Sequence, residues 1–372
     1  MITPFIQAIG TAVPPNEISQ ELHYTILESI NGMTRNEKLQ LRKIYSRSGI
    51  KTRHSVLAEF GSNDKESNVL FHPSNLFPAL PISKRMNLFQ VFAAELCEKA
   101  VNDCFKNLTE IELSQITHVI TFSCTGMSAP GLDIQLVERL KLNRNVERTC
   151  INFMGCYAGI NALKVAYHIV KSEPEAIVLV AGVELCTLHY QKNEKLDQVV
   201  ANALFADGAS ACIVSARKNR SNKSTHQLEI QNFYAEFEPA GKDEMVWTIG
   251  DFGFDLKLSA YVPKLILENI HSLMEKLFSK VGMAHADIDY YALHPGGMKI
   301  LEACEEALGI TKEQNKKSYD VLQKYGNMSS VTIFFVLKEY LKTITPKDEN
   351  KKILCCAFGP GLTMESMILE IN

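Results

Sequence analysis

The sequence changes from a strand-like to a helix-like pattern at Asn152-Phe153-Met154-Gly155-Cys156-Tyr157-Ala158-Gly159. An apolar run at residues 146–153 precedes this point, and a run with helical spacing at residues 158–170 follows it. Cys156 is therefore predicted at a helix N-terminus, where free backbone N–H groups and the helix dipole favour an anion. We expect a nucleophilic thiol with a lowered pKa, and the alternative is an inert buried cysteine.

The composition is that of an ordinary globular chain. Its 372 residues are 46% hydrophobic and 22% charged, and a formal net charge of -3 gives no sign of nucleic-acid binding. The ten cysteines show no zinc-site spacing, so we expect reduced thiols in a cytoplasmic protein and no metal. We expect no export signal, and no membrane span, because no uncharged apolar stretch approaches about 18 residues.

Short apolar runs alternate with longer runs of helical spacing, which predicts an α/β fold. The predicted strands lie at residues 117–122, 176–183, 211–214, 288–293, 353–358 and 364–370. The predicted helices lie at residues 89–105, 132–140, 158–170, 263–281, 300–308 and 330–342. A polar, basic segment at residues 218–227 is the best candidate for a connection between two halves, 1–217 and 228–372.

The two halves repeat one another in the same order. Cys124-Thr125-Gly126 and His294-Pro295-Gly296-Gly297 each follow a predicted strand. Gly155-Cys156-Tyr157-Ala158 follows the first motif, and Gly326-Asn327-Met328-Ser329 follows the second. Cys156 lies 32 residues after Cys124, and Asn327 lies 33 residues after His294. This repetition predicts an internal duplication in which Cys156, His294 and Asn327 meet at one central cleft.

A cysteine, a histidine and an asparagine in one cleft suit acyl transfer. The thiol can carry an acyl group as a thioester, and the other two can donate to a developing oxyanion or enolate. His294 is expected either to pair with the Cys156 thiolate or to donate to the oxyanion. The alternatives are that His294 is a strand-end histidine satisfied by backbone and that Asn327 is only a helix N-cap.

These residues resemble those of type III polyketide synthases, the chalcone and stilbene synthase family of the thiolase-like superfamily. The resemblance runs nearly end to end. It is carried by residues 8–16, 153–159, 204–209, 293–297, 325–330 and 358–363. Ketoacyl synthases that initiate fatty-acid synthesis share the Cys, His and Asn. They usually lack the histidine motif at residues 294–297 and the C-terminal motif at residues 358–363. The resemblance implies a thiolase-like fold, internally duplicated in five αβαβα layers.

The resemblance also implies roles for individual residues. Cys156 would be the acyl-carrying nucleophile, and His294 with Asn327 would form the decarboxylation and oxyanion site. Phe205 matches one aromatic gate of the family, whereas Leu256 stands where the family has a second gate phenylalanine. The basic residues that meet coenzyme A phosphates would be Lys43 and Arg47. The remaining cavity positions would be Cys124, Thr125, Cys186, His189, Trp247 and Ser329.

The function expected from this resemblance is condensation of an acyl-CoA starter with malonyl-CoA by a homodimeric enzyme without a cofactor, releasing a cyclised or pyrone product. One alternative is a ketoacyl-carrier-protein synthase that uses malonyl carrier protein. Another is a thiolase-fold subunit without condensing activity. The bulk of His189 and Trp247 predicts a small cavity and short products, while the starter is not identified by the sequence.

Overall fold

A computed structural model describes residues 2–30, 34–60, 80–106, 108, 110–191, 196–218, 226–259 and 261–372. The strands of these residues are β1 (Phe5–Ala12), β2 (Asn16–Ser19), β3 (Thr52–Ser55), β4 (His118–Ser123), β5 (Glu147–Asn152), β6 (Ile177–Leu185), β7 (Asp207–Ser215), β8 (Leu228–Phe237), β9 (Met245–Ile249), β10 (Phe254–Leu258), β11 (Tyr290–Leu293), β12 (Lys352–Gly359) and β13 (Thr363–Ile371). The α-helices are α1 (Gln20–Ile30), α2 (Arg35–Arg47), α3 (Ile82–Phe105), α4 (Leu132–Arg139), α5 (Ala158–Ser172), α6 (Leu196–Leu204), α7 (Val262–Val281), α8 (Met298–Leu308), α9 (Lys316–Tyr325) and α10 (Thr332–Leu341).

Nine strands form one continuous sheet in the order β11-β12-β13-β8-β1-β7-β6-β4-β5. In the first half β4 is parallel to β6, and β6-β7-β1 are antiparallel neighbours. In the second half β11 is parallel to β12, and β12-β13-β8 are antiparallel neighbours. The two halves thus have the same pairing pattern, which confirms the predicted duplication, and they join where β1 pairs with β8.

Helices fill three layers around the two half-sheets. Leu163 of α5 and Phe334 of α10 belong to a central apolar cluster that takes side chains from the inner faces of both halves. Strand alternation sends Val180 of β6 into this cluster and its neighbour Leu179 to the outer face, against α3. Ile270 of α7 packs in a third cluster against the outer face of the second half. The result is the predicted αβαβα layering.

Each strand and helix predicted from the sequence overlaps an observed element. The largest shift is at α3, which begins at Ile82 because Arg85 in its first turn is buried and donates to the carbonyls of Leu80 and Tyr190 at 3.0 and 2.8 Å. The hairpin of β9 and β10 was not predicted, and neither were β2, β3, β8, α1, α6 and α9. Of the predicted connection, residues 219–225 lie outside the described residues. No helix in the described part of the chain has the length and apolar character needed to cross a membrane.

Candidate active site

The nucleophile turn lies between the end of β5 at Asn152 and the start of α5 at Ala158. Gly155 has a φ of 87°, and a Cβ at this position would lie 2.1 Å from the Cδ atom of Pro360. Only glycine fits such a turn without strain. The C-terminal phrase at residues 358–361 therefore packs directly on the loop that presents Cys156.

His294 follows β11, and its backbone N–H donates to the carbonyl of Cys356 at 2.8 Å. The residue is 1% exposed, and neither ring nitrogen has a hydrogen-bond partner among the described residues. Leaving a buried polar group unpaired costs about 1–3 kcal/mol, so such groups call for an explanation. The alternative of a histidine satisfied by backbone is wrong for the side chain, which is free to bind a group in the cavity.

Asn327 is fixed by its backbone and by its side chain. Its N–H donates to the carbonyl of Leu204 and its carbonyl accepts from the N–H of Ala206, both at 2.9 Å. The side-chain Oδ1 accepts from the N–H of Ser329 at 2.8 Å, and Nδ2 donates to the carbonyl of Gly296 at 3.2 Å. Capping thus accounts for the amide oxygen, while Nδ2 keeps one hydrogen for the cavity.

One mostly apolar cavity joins the three residues. It contains about 700 Å³ of empty space, including its opening to solvent. Of the predicted site residues, it brings together Cys156, His294, Asn327, Phe205, Leu256, Cys124, Thr125, Cys186, Trp247 and Ser329. The cavity is also lined by Met245, Leu258, Ile300 and Phe358, which were not predicted as site residues, and by Gly155, Gly296 and Pro360.

Burial sets the resting protonation of the catalytic pair. Desolvation raises the pKa of Cys156 to about 12, although a contact of its Sγ with the Ser329 hydroxyl at 3.7 Å acts in the opposite direction. Desolvation also lowers the pKa of His294 to about 3. Both shifts favour the neutral forms of the thiol and the imidazole, which is opposite to the expected acidic thiol paired with a histidinium. The helix N-terminus does not compensate for the loss of solvent.

A buried carboxyl group lies beneath the cavity wall. Glu184 on β6 is fully buried and accepts from the N–H of Cys124 and the hydroxyl of Thr125, both at 2.9 Å, and from Ser330. Desolvation raises the pKa of this carboxyl, and its hydrogen bonds act against the shift. Sequence reasoning missed Glu184, although an acidic residue inside the apolar run of β6 was a usable signal.

Trp247 and His189 form successive layers of the cavity wall. Trp247 lines the cavity, and its indole N–H donates to the carbonyl of Cys124 at 2.7 Å. His189 does not line this cavity. It stacks on Phe254 at 3.9 Å, bonds the Thr125 carbonyl at 2.6 Å, and faces a second pocket of about 420 Å³ that Trp247 also lines. Trp247 thus lines both spaces, as Cys186 and Phe205 also do.

The predicted coenzyme A contacts lie apart from the cavity. Lys43 and Arg47 are exposed on α2, and neither lines the space around Cys156. The buried face of this helix holds Leu41 and Tyr45. The two cations are one helical turn apart, on a surface accessible to an anionic ligand.

Comparison with known proteins identifies the family. The model of the N-terminal domain of chalcone and stilbene synthases matches residues 3–218, and the model of their C-terminal domain matches residues 229–371. The chain belongs to the chalcone and stilbene synthase family. Membership explains why the nucleophile turn and the C-terminal phrase occur together in this chain.

Relatives within the polyketide synthases agree with this assignment. The chain is 31% identical over 98% of its length to "Probable polyketide synthase 1" of Dictyostelium discoideum, of which it spans only 11%. It is 29% identical over 90% of its length to "Alpha-pyrone synthesis polyketide synthase-like Pks18" of Mycobacterium tuberculosis and covers 83% of that protein. The crystal structure of PKS-I from the brown alga Ectocarpus siliculosus superposes with a TM-score of 0.92 at 27% identity, covering 100% of this chain and 99% of the other.

Proposed function

We propose that this chain is a type III polyketide synthase, which condenses an acyl-CoA starter with malonyl units through a thioester on Cys156. One observation carries the proposal. The thiol, the unpartnered His294 and the Asn327 amide, which interacts with the Cys156 sulfur, share one apolar cavity. Such donors beside the nucleophile in an apolar cavity suit an oxyanion that exists only during the reaction.

Loading begins from two neutral groups. Sγ of Cys156 attacks the starter thioester carbonyl while its proton passes to His294, and coenzyme A leaves as a thiol after taking that proton. The neutral imidazole offers a lone pair for this proton, and its lowered pKa means that the proton passes on to the departing coenzyme A and is not retained as a stable histidinium. The product of this step is an acyl group on Cys156 and a free coenzyme A.

Extension then uses malonyl-CoA. Its thioester carbonyl accepts from Nδ2 of Asn327 and from the His294 imidazole. The bond to the terminal carboxylate breaks, CO₂ leaves, and the electron pair forms an enolate held by these donors. The enolate carbon attacks the Cys156 thioester and frees the sulfur, so the lengthened chain is carried on coenzyme A until it is reloaded.

Lys43 and Arg47 are proposed to bind the phosphates of the coenzyme A. Both are exposed cations of α2, close in sequence, and guanidinium and ammonium groups are suitable phosphate ligands. No metal or redox cofactor is part of the proposal. The substrate is proposed to be free malonyl-CoA and not malonyl carrier protein.

A cytoplasmic homodimer is proposed as the working form. All ten cysteines are unpaired, which suits a reducing compartment. Strand β5 is an edge of the sheet with most side chains exposed, Cys150 among them, and an unpaired edge of this kind is a surface on which a second copy can add its own strand. Light scattering after size-exclusion chromatography measures the assembly directly.

The function is tested by incubating the chain with malonyl-CoA and a panel of acyl-CoA starters, with products read by mass spectrometry. A parallel reaction contains malonyl carrier protein in place of malonyl-CoA. We expect pyrone or cyclised products with malonyl-CoA alone. Products formed only with the carrier protein would show a ketoacyl-carrier-protein synthase, and no CO₂ release with either donor would show a chain without condensing activity.

A further inference from the structure

A second cluster of ionisable side chains lies at the opposite edge of the same two strands that lead to the active site. His118 begins β4, and Glu147 begins β5 directly beside it. Glu173 immediately follows α5. Cys124 and Cys156 follow the other ends of β4 and β5, about 20 Å away for strands of this length. The cluster is therefore separate from the cavity.

The three side chains converge on one point. Nε2 of His118 lies 3.7 Å from Oε2 of Glu147 and 3.9 Å from Oε2 of Glu173. The three ligand atoms lie within 4.8 Å of one another. These separations exceed hydrogen-bond length, so the ring nitrogen faces two carboxylates without bonding either. Small movements of the two exposed glutamates suffice to close all three atoms around a cation.

The hydrogen bonds behind His118 select the ring nitrogen that faces the carboxylates. The Thr117 hydroxyl donates to the carbonyl of Ile177 at 3.2 Å and accepts from the N–H of Ile177 at 2.9 Å. The same oxygen lies 2.8 Å from Nδ1 of His118, and we assign Nδ1–H as the donor because the hydroxyl proton is directed at the Ile177 carbonyl. In this tautomer Nε2 carries a lone pair, which is the form that ligates a metal, with Nδ1–H anchored as metal-binding histidines require.

Local charge also favours a cation. Among the described residues, neither Glu147 nor Glu173 has a lysine or arginine within 4.0 Å. Glu173 lies at the C-terminal, negative end of α5, where a carboxylate is unfavourable and a cation is stabilised. His118 is 6% exposed, so its lone pair has little access to compensating solvent.

We propose that His118, Glu147 and Glu173 bind one divalent transition-metal ion, best matched by Zn²⁺ with water completing its coordination. One imidazole nitrogen and two carboxylate oxygens form a donor set that Zn²⁺ accepts in proteins. The ion is structural, because it ties the first residue of the edge strand β5 to β4 and to the end of α5. It takes no part in the condensation.

The site is tested on the full chain after removal of metals with a chelator. Isothermal titration calorimetry measures the number of Zn²⁺ ions bound and their affinity. The wild type should bind one more Zn²⁺ ion than Glu173→Gln, Glu147→Gln or His118→Ala, or should bind the same number with at least tenfold higher affinity. Mn²⁺, followed by electron paramagnetic resonance, serves as a second probe that discriminates against the cysteines. Zn²⁺ should also raise the melting temperature of the wild type but not of Glu173→Gln.

The matched control is His271→Ala. His271 and Glu275 are also 3.7 Å apart, but they form an exposed pair on α7 without a third ligand, so this variant should bind as the wild type does. Equal Zn²⁺ stoichiometry and affinity in the wild type and Glu173→Gln would overturn the proposal. So would an absence of any Zn²⁺ or Mn²⁺ equivalent in the wild type, which would show that the cluster binds neither ion. The glutamate variants keep the test valid if His118→Ala does not fold.

Discussion

The turn before α5 and the segment before α10 occupy equivalent places in the two halves, yet they deliver opposite chemistry. The first presents the Cys156 thiol, which receives an acyl group. The second presents the Asn327 amide, whose oxygen is used by the backbone N–H of Ser329 and whose nitrogen keeps one hydrogen for the cavity. The two halves therefore place matching loops at one cleft, and the loops differ in the residue that they present. One loop carries the nucleophile, and the other carries a hydrogen-bond donor.

The backbone of the two segments is unusual in similar ways. Phe153 has a φ of 62° and Ser329 a φ of 49°, both in the left-handed region that non-glycine residues rarely adopt. Backbone strain of this kind is retained where the surroundings fix it, often at functional sites. In both halves the left-handed residue changes the direction of the backbone close to the residue that faces the cavity.

The largest effect is expected from removing the nucleophile of the first half. Cys156→Ala should reduce polyketide formation by a factor of ~1,000 or more, because no other residue takes over the covalent step. Products are measured by mass spectrometry, and the fold is checked by thermal melting. Val91→Ala, a change at an exposed side chain on α3, is the control and should retain full activity. Product formation above trace levels in the Cys156 variant would remove this thiol from the mechanism.

A smaller loss is expected from the second half. Asn327→Ala should slow malonyl-CoA decarboxylation by about a hundredfold, the usual scale for one oxyanion donor. Asn327→Asp keeps an oxygen for the N–H of Ser329 but lacks the donor, so it separates capping from catalysis. CO₂ release is the readout. If Asn327→Asp decarboxylates at the wild-type rate, the asparagine acts only as a cap.

The alkylation of Cys156 by iodoacetamide should depend on pH as a poorly acidic thiol does. With its pKa raised to about 12, the thiolate fraction should grow about tenfold per pH unit from pH 7 to 10 without a plateau. A free thiol in solution levels off above its pKa of about 8.5. His294→Ala should leave the profile unchanged, because a histidine with a pKa lowered to about 3 is uncharged in this range. A plateau in the alkylation rate near pH 7 that is lost in His294→Ala would contradict this expectation and would support an ion pair between Cys156 and His294.

The smallest effect is on product length. Trp247→Ala should shift the products toward longer chains, because it removes a bulky side chain that lines both the cavity and the second pocket. His189→Thr alone should change little, since His189 lies behind Trp247, and the double variant Trp247→Gly with His189→Thr should lengthen the products. Ile249→Ala, an exposed change on the same strand, is the control. Chalcone as the main wild-type product from p-coumaroyl-CoA would contradict the small cavity.

Much of the fold could be predicted because its determinants are local. The apolar runs of β4, β6, β12 and β13 and the helical spacing of α5 and α7 are visible within each segment. The convergence of Cys156, His294 and Asn327 was also predictable, because the repeat places them after matching elements. The hairpin of β9 and β10 was missed. It pairs Trp247 of β9 with Leu256 of β10. The residues of β9 do not alternate, whereas Phe254-Asp255-Leu256-Lys257-Leu258 of β10 alternates apolar and charged residues and was a usable signal for a strand.

The protonation of the site could not be predicted from the sequence. The local setting of Cys156 favours a thiolate, whereas its burial depends on residues from both halves of the chain. The position of His189 could not be predicted either. The sequence predicts His189 in the cavity wall, whereas its stacking on Phe254 holds it behind Trp247. Long-range packing decides solvent access, and solvent access decides these properties.

The division of labour between the two segments is tested most directly by measuring CO₂ release from malonyl-CoA in Cys156→Ala. His294 and Asn327 are intact in this variant, so CO₂ release should continue within about tenfold of the wild-type rate while condensation is absent. In Asn327→Asp, Cys156 should still gain the mass of the starter acyl group. Loss of CO₂ release together with condensation in Cys156→Ala would contradict the account, because it would show that the donors do not act independently of the thiol.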